Sequence, residues 1–519
     1  MAATSSSEKI ISRDYDSAIK FLNTSQTNAA LLENVSRLGK AMNEHSLPEM
    51  RAFLERIGYK PSDLDKLNII HVAGTKGKGS TCAFVDSILR HVEVPSALSK
   101  TAEGSSGTRR AKVGMYTSPH LVEVRERIKL DGKSISKDLF AQYFFDVRDR
   151  LEATKSGADG AAAVTVPQYF RFLTLVAFHT FMQENVDFLV LEVGVGGEYD
   201  ATNVVERPVV CGISALGYDH QNVLGDTLEE IAWNKAGIFK NGTPAFTLAQ
   251  PESCMEVIRE RANERKVGGL RVPNPITAYP ELDKVELGLM GEFQKSNAAL
   301  AVSLATTALS CFAGTQSGIL SRNPAKSIPL SLAPGFRVGL QNAKWPGRAQ
   351  KATFSQYSEI VWYLDGAHTV ESLDVCADWY LSQNLNSKSE QHILVFNCTG
   401  QRKAGVIMAP LVRLNGRINF RTILFTTNVP FNDPEGSKDN IRVGAALDTS
   451  HQSALASTWS SMCEKEGIPT GQTIISPSVE AAFSIISDLK RGKEPTNVLV
   501  TGSLHLVGSA LAVAQFSID

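Results

Sequence analysis

An α/β protein built from two successive parallel-sheet units is predicted by three features of this 519-residue sequence. The chain exceeds the roughly 250–300 residues over which a single hydrophobic core keeps growing. Short β-branched apolar runs alternate with helical periodicity in two separate series, the pattern of parallel strands covered by helices on both faces. A glycine-rich turn, GTKGKGS at residues 74–80, stands between an apolar run and a helical one, where open sheets present their ligand-binding turns.

In chain order, helical spacing over residues 15–54 places Ala18, Ile19 and Leu22, then Leu31, Leu32, Val35, Leu38 and Met42, on recurring faces and predicts leading helices. LNIIHVA at 67–73 is a short, fully apolar strand, and STCAFVDSILRHV after the glycine turn is helical. Residues 99–112, SKTAEGSSGTRRAK, lack large apolar side chains and are expected to form a mobile surface insertion. VDFLVLEV, RPVVCGISAL and TPAFTLA read as strands, with a helix near 227–236 between the last two. A second series follows Pro334: EIVWYLDGAH, a helix around 370–381, QHILVFNCTG, RTILFTTN and NVLVTGSLHLVGSAL. Residues 312–334 are rich in Gly, Ser and Pro, and the boundary is expected near Leu340, dividing 1–339 from 340–519.

Composition narrows the function. Hydrophobic residues at 43% and charged residues at 21% match an ordinary globular protein. A formal net charge of -1 provides no global positive field for a nucleic acid. The seven cysteines are odd in number and scattered without C-x-x-C spacing, which fits reduced thiols in a reducing compartment. Apolar runs fall short of the ~20 residues that a membrane helix needs. The first residues, MAATSSSEKIISRDYDSAIKFL, lack an apolar signal core. A soluble cytoplasmic protein is expected, with a mitochondrial pool left open.

Phosphate binding needs convergent backbone N–H groups at a helix start and a nearby cation. Gly74, Thr75, Gly77 and Gly79 supply the turn, Lys78 a mobile positive charge, and Ser80 or Thr81 a hydroxyl for magnesium or a phosphate oxygen. The spacing departs from G-x-x-x-x-G-K-[ST], because Gly79 separates Lys78 from Ser80. Glu192, at the end of the strand in LVLEVGVGG, requires a metal, a cationic partner or a structural salt bridge. In SALGYDH, Asp219 and His220 follow another strand; His220 either offers a neutral imidazole to a metal or is structural. Lys235 in IAWNKAGIF is a cation that cannot ligate a metal, so a surface or ion-pairing role is the ordinary reading. Ser118, Pro119 and His120 in MYTSPHL suit a tight loop, with Ser118 able to face the same metal. In the second half, Arg348 of WPGR suits phosphate oxygens, and Asp365 of WYLDGAH suits a ribose hydroxyl.

The ordered set GTKGKGS, YTSPHL, EVGVGG, DH, KAGIF, GEFQKSNAALAV, WPGR and DGAH resembles the folylpolyglutamate synthases, within the wider Mur ligase group. The resemblance implies a P-loop parallel-sheet ATPase domain that binds ATP and folate, followed by a smaller Rossmann-like α/β domain for glutamate ligation, with ATP between them. Carried over by motif, Gly77, Lys78, Gly79 and Ser80 would bind ATP phosphates, with Gly74, Thr75, Thr81 and Asn297 completing the nucleotide site. Arg348 and Asp365 would reach ATP from the second domain. Ser118, Glu192 and His220 would ligate Mg2+, joined by Lys235 once carbamylated by carbon dioxide. Lys78, Lys235 and His368 are the implied catalytic side chains, His368 for positioning or proton transfer. The family pattern also admits a monovalent cation such as K+ and a monomeric enzyme acting on reduced folate, L-glutamate and ATP, with no nucleic-acid partner. Lys403 stands where family members often carry an acidic residue. Three alternatives stay open: a dihydrofolate synthase or bifunctional enzyme with the same ATP motifs, a P-loop kinase or nucleoside triphosphatase with another acceptor, and a non-catalytic binder.

Overall fold

The computed structural model describes residues 12–24, 45–100, 106–155, 167–316, 332–384, 391–398, 404–432, 439, 448–489 and 495–517. The helix expected through Leu31 and Met42, the middle of the 99–112 segment and Lys403 lie outside these residues.

The strands of the first half are β1 (Ile69–Ala73), β2 (Glu93–Lys100), β3 (Ser106–Arg110), β4 (Val113–Tyr116), β5 (Ile128–Leu130), β6 (Lys133–Ser134), β7 (Phe188–Glu192), β8 (Val210–Ile213), β9 (Ala245–Thr247) and β10 (Leu270–Arg271). Eight of them form one sheet in the order β10-β9-β8-β1-β7-β4-β5-β6. Its pairs are parallel except β4 with β5 and β5 with β6. The central strands are buried at every position, as a sheet covered on both faces demands, and therefore appear in sequence as unbroken apolar runs.

Strand alternation sorts that core into two layers. Ile69, Leu189 and Leu191 face the helices Lys137–Ala153 and Tyr169–Gln183, where Phe140, Phe144 and Phe172 pack. Ile70, Val72, Phe188 and Val190 face the helices Lys78–Arg90, Gln294–Gln316 and Gly335–Asn342. The registers Val72↔Glu192, Ala73↔Ile213 and Tyr116↔Leu191 bring the carboxyl ends of β1, β7, β8 and β4 side by side. The glycine turn, the Ser118 loop, Glu192 and the 214–220 loop consequently emerge along one edge of the sheet.

The second half holds β11 (Gln350–Ala352), β12 (Ile360–Asp365), β13 (Gln391–Phe396), β14 (Thr422–Thr426), β15 (Gln472–Ser476) and β16 (Thr496–Thr501). They form a sheet in the order β11-β12-β16-β13-β14-β15, parallel except for β11 with β12. Helices Val370–Asn384, Ala404–Ile418 and Ser450–Glu466 cover one face, and Val479–Leu489 and Leu504–Val513 the other. Two α/β units with mostly parallel sheets are thus present, as the strand–helix alternation predicts.

Within the 99–112 segment, residues 99–100 belong to β2 and 106–110 to β3, which pair antiparallel from Glu93↔Arg110 to Lys100↔Ser106. Arg109 ties this hairpin to the sheet by donating to both oxygens of Asp187 at 2.7 and 2.6 Å, a bidentate contact that composition cannot reveal.

His71, in the middle of β1, is fully buried, with Nε2 2.9 Å from Thr202 Oγ1. Burial, aided by the Lys240 charge, pushes its imidazole down to about 3. The unfolded chain therefore binds a proton below the usual histidine value of about 6.5 that the folded chain refuses, and stability falls with pH across that window. By about pH 4.5 the loss attributable to His71 is ~2–3 kcal/mol. His71→Gln is expected to flatten the acid limb of stability measured by urea unfolding at neutral and acid pH; an unchanged limb would refute it.

Candidate active site

The turn between β1 and the helix Lys78–Arg90 is compressed against its neighbours. Gly74 and Gly77 adopt φ of +144° and +84°. A Cβ on Gly74 would lie 1.9 Å from Ser214 Oγ, and one on Gly77 would lie 2.3 Å from Asn297 Oδ1. On Gly79 it would meet the Trp345 ring at 2.8 Å. Thr75 N and Lys76 N donate to Ala215 O at 2.9 and 3.0 Å, and Thr75 Oγ1 donates to Gly217 O at 3.1 Å. Gln294 Nε2 donates to Ser80 Oγ at 3.3 Å and is itself held by Asn297 through a 2.9 Å bond. Thr81 Oγ1 is buried and without a hydrogen-bond partner among the described residues. Glycines that leave no room for a side chain, opening a helix, form a backbone N–H cradle suited to an anion.

Glu192 closes β7 beside this cradle and is 4% exposed. Burial pushes its carboxyl up, while the charges of Lys78, Arg348 and Arg127 and the Ser118 N–H bond at 3.0 Å pull it back. His220 sits at φ +52° just beyond β8. Burial, reinforced by the Lys78 charge and opposed by that of Asp219, holds its imidazole below the usual range. Lys235 is 3% exposed and donates from Nζ to Gly74 O at 2.8 Å, directly onto the glycine turn. Burial and the neighbouring Lys78 charge keep its amine far below the usual lysine range.

Among the described residues no group of three or more His, Cys, Asp or Glu could hold a metal. Around this turn stand the buried Glu192 carboxylate, Ser118, whose N–H meets that carboxylate, and the His220 imidazole, on which the Lys78 charge also acts. Such a sparse, hard set fits Mg2+, which takes one or two carboxylates and completes its shell with substrate phosphates and water.

The second half meets the first at the same place. His368 Nδ1 lies 3.0 Å from Gly366 O, and Nε2 lies 3.2 Å from Asp219 Oδ2 across the two units. Both ring nitrogens thus face oxygen atoms, which fixes the orientation of the ring. Burial would raise the Asp219 carboxyl, but the His368 bond and the charges of His220 and Lys76 outweigh it and hold the group well below the usual range. Asp365 accepts from Ala349 N at 2.7 Å and Ala367 N at 2.8 Å. It thereby clamps the turn that carries Arg348, whose charge acts on Glu192.

The structure brings Gly74, Gly77, Lys78, Ser118, Glu192, His220, Lys235, Asn297, Arg348 and His368 into one neighbourhood. Sequence reasoning missed Ser214, Gln294 and Trp345, which buttress the turn, because contacts between distant segments leave no local pattern. It also missed a cavity of about 350 Å3 beside the glycines that follow Glu192, lined by Tyr169, Phe170, Tyr199, Asp200, Val223 and Asn234 among others.

Gly77→Ala and Gly242→Ala form a controlled pair. Gly242 has φ +70°, and a Cβ there would meet nothing within 4 Å, so its substitution costs only the left-handed strain of about 1 kcal/mol. Gly77→Ala adds the Asn297 collision and is expected to cost roughly 1–3 kcal/mol more, read by urea unfolding. Equal losses would contradict the close approach.

Comparison with known proteins supports a common origin. The family described as "Dihydrofolate synthetase, C-terminal domain" matches residues 350–513. Folylpolyglutamate synthases from the Saccharomyces cerevisiae strains FostersO and S288c are each 40% identical over 513 residues, covering 97% of this chain and 88% of theirs. In fold, the chain resembles a Mycobacterium tuberculosis folylpolyglutamate synthase complexed with ADP, with a TM-score of 0.69, 22% identity, and 98% and 100% of the two chains covered. The apo form of L. casei FPGS gives 0.66 at 21% identity, covering 97% and 100%. E. coli FolC in complex with DHPP and ADP gives 0.62 at 22%, covering 90% and 92%. With two-fifths of its residues shared across nearly its whole length, and with the two-sheet fold in common, the chain belongs to the folylpolyglutamate synthase family.

Proposed function

We propose that the protein ligates L-glutamate to the γ-carboxylate of a reduced folate or its polyglutamates, consuming ATP and releasing ADP and phosphate. The observation that carries this reading is the convergence of the glycine cradle and Lys78 on buried Glu192, with Arg348 brought in from the second half. We place the division between the units at 339/340, residues 1–339 binding ATP and folate and 340–519 serving ligation. Action as a monomer, in the cytoplasm with a mitochondrial pool, completes the proposal. No described helix is long and apolar enough to cross a membrane.

In this scheme the folate carboxylate displaces ADP from the γ-phosphoryl group, giving an acyl phosphate, and the glutamate amine then displaces phosphate to form the amide. No protein nucleophile is required. Lys78 and Arg348 stabilise charge on the transferring phosphoryl oxygens, and the fixed N–H groups of the turn hold the remaining phosphates. Ser118, Glu192 and His220 would hold Mg2+, which supplies charge neutralisation to the phosphates. Lys235, a buried amine whose charged form burial disfavours, is suited to carbamylation, which would convert it to an oxygen donor. His368, tied to Asp219, holds the two halves in register. The cavity flanked by Tyr169, Phe170 and Tyr199 offers aromatic faces to a pteridine ring, with Asp200 at its wall.

A second reading has one specific observation in its favour. The family matched by residues 350–513 is described as a dihydrofolate synthetase domain, so dihydropteroate is a competing acceptor. Labelled glutamate incorporation with ATP and magnesium, comparing tetrahydrofolate with dihydropteroate, separates the two. Extended glutamyl tails on tetrahydrofolate are expected; addition to dihydropteroate alone would favour the second reading, and ATP hydrolysis without incorporation would reject ligation. Lys78→Ala is expected to lower incorporation by at least roughly 100-fold while leaving the fold intact; unchanged activity would remove Lys78 from the phosphate site. Labelling with 13C-bicarbonate should give a carbamate resonance that is lost in Lys235→Ala, and a spectrum without that resonance would exclude the modified lysine.

A further inference from the structure

The loop that carries Ser118 is held by both halves of the protein. Leu121, three residues on, is 8% exposed and packs within the second half's core beside Trp362, Leu506, Val507 and Ala510. Two glycines make room for it. A Cβ on Gly508, inside the helix Leu504–Val513, would lie 2.1 Å from Leu121 O. One on Gly347, adjacent to Arg348, would lie 3.3 Å from Leu121 Cδ2 and 3.2 Å from Val507 Cγ1.

From the other side, the Glu126 carboxylate accepts the N–H groups of Leu121, Val122 and Glu123 at 3.0, 2.7 and 2.5 Å. Asp439 of the second half accepts from Val124 N at 2.8 Å and from Tyr15 OH at 2.6 Å. Upstream, the loop ends in the Ser118 N–H bond to Glu192.

We infer that Leu121, seated between Gly347 and Gly508, is a positioning residue for the reaction: one docked side chain sets Ser118 against Glu192 and the Arg348 turn against both. The inference rests on the reading of Ser118 and Glu192 as magnesium donors given above. Close-packed interiors transmit small displacements, and groups supporting a metal's donors commonly govern its affinity. Because Leu121 touches the turn bearing Arg348 and the loop bearing Ser118, a shift at this contact moves the cation and metal-donor sides together.

The test uses the full-length protein with Leu121→Ala, Gly508→Ala, Leu121→Met and Ser118→Ala, measuring magnesium dependence, kcat and KM for ATP, with circular dichroism to check folding. Leu121→Ala and Gly508→Ala are expected to raise the half-saturating magnesium concentration and lower kcat, each by roughly tenfold or more, with a smaller change in KM for ATP. Leu121→Met, which conserves volume, should stay near wild type. If Leu121→Ala does not fold, Gly508→Ala still decides, because alanine favours its helix and the nearest atoms that oppose it are those of Leu121. Wild-type magnesium dependence and kcat in both alanine variants would overturn the inference. Unaltered magnesium dependence in Ser118→Ala would count against the metal reading itself; kcat of Leu121→Ala and Gly508→Ala then decides the positioning role, wild-type values overturning it.

Discussion

A carboxylate buried at the end of a central parallel strand must be compensated, and much of this molecule is arranged around that demand. Glu192 is placed by β7 among strands covered on both faces, so water cannot solvate it. Lys78, Arg348 and Arg127 act on it from three separate segments, and the Ser118 loop donates a backbone N–H to it. An uncompensated charge at this depth would be strongly destabilising. The same cations that make the site tolerable are those that an incoming phosphate requires, so the electrostatic cost of burial and the preparation for catalysis are one arrangement.

The second organising feature is close backbone approach. Gly74, Gly77 and Gly79 each touch a side chain from elsewhere in the chain: Ser214, Asn297 and Trp345. The turn is therefore held in shape by the next strand loop, by the helix Gln294–Gln316 and by Trp345, which precedes β11. Lys235 adds a fourth hold through Gly74 O. A cradle built this way presents its N–H groups without first having to order itself, which is the advantage of a preorganised polar site.

Two of the contacts between the halves differ in kind. Asp219 with His368 is an ion-pair-like bridge at the site itself, whereas Leu121 is an apolar graft from one half into the core of the other. These differ in physical character. The first is directional and sensitive to charge; the second depends on volume and on the absence of side chains at Gly347 and Gly508.

Much of this was legible in the sequence, for reasons that also set the limit. Buried parallel strands such as IIHVA, FLVLE and NVLVT must be continuously apolar, and a phosphate turn needs glycine where no other residue fits, so β1, β7, β16 and the 74–80 turn stood out from local pattern alone. The edge strand β15 did not, since most of its positions are exposed and its short run lacks the apolar signature. The β2–β3 hairpin was hidden because Gly, Ser and Arg composition says nothing of the Arg109–Asp187 contact that holds it. Resemblance to a family supplied Lys235 and His368, which their local sequence would have left as an ordinary surface lysine and an unassigned histidine. Sequence by itself thus determined the strands, the turn and the chemical types at the site, because these follow from local periodicity and backbone freedom. Only tertiary structure decided that Asp219 pairs with His368, that Asp365 clamps the Arg348 turn, and that Leu121 belongs to the other half's core, because each depends on which distant surfaces the packed sheets bring within contact.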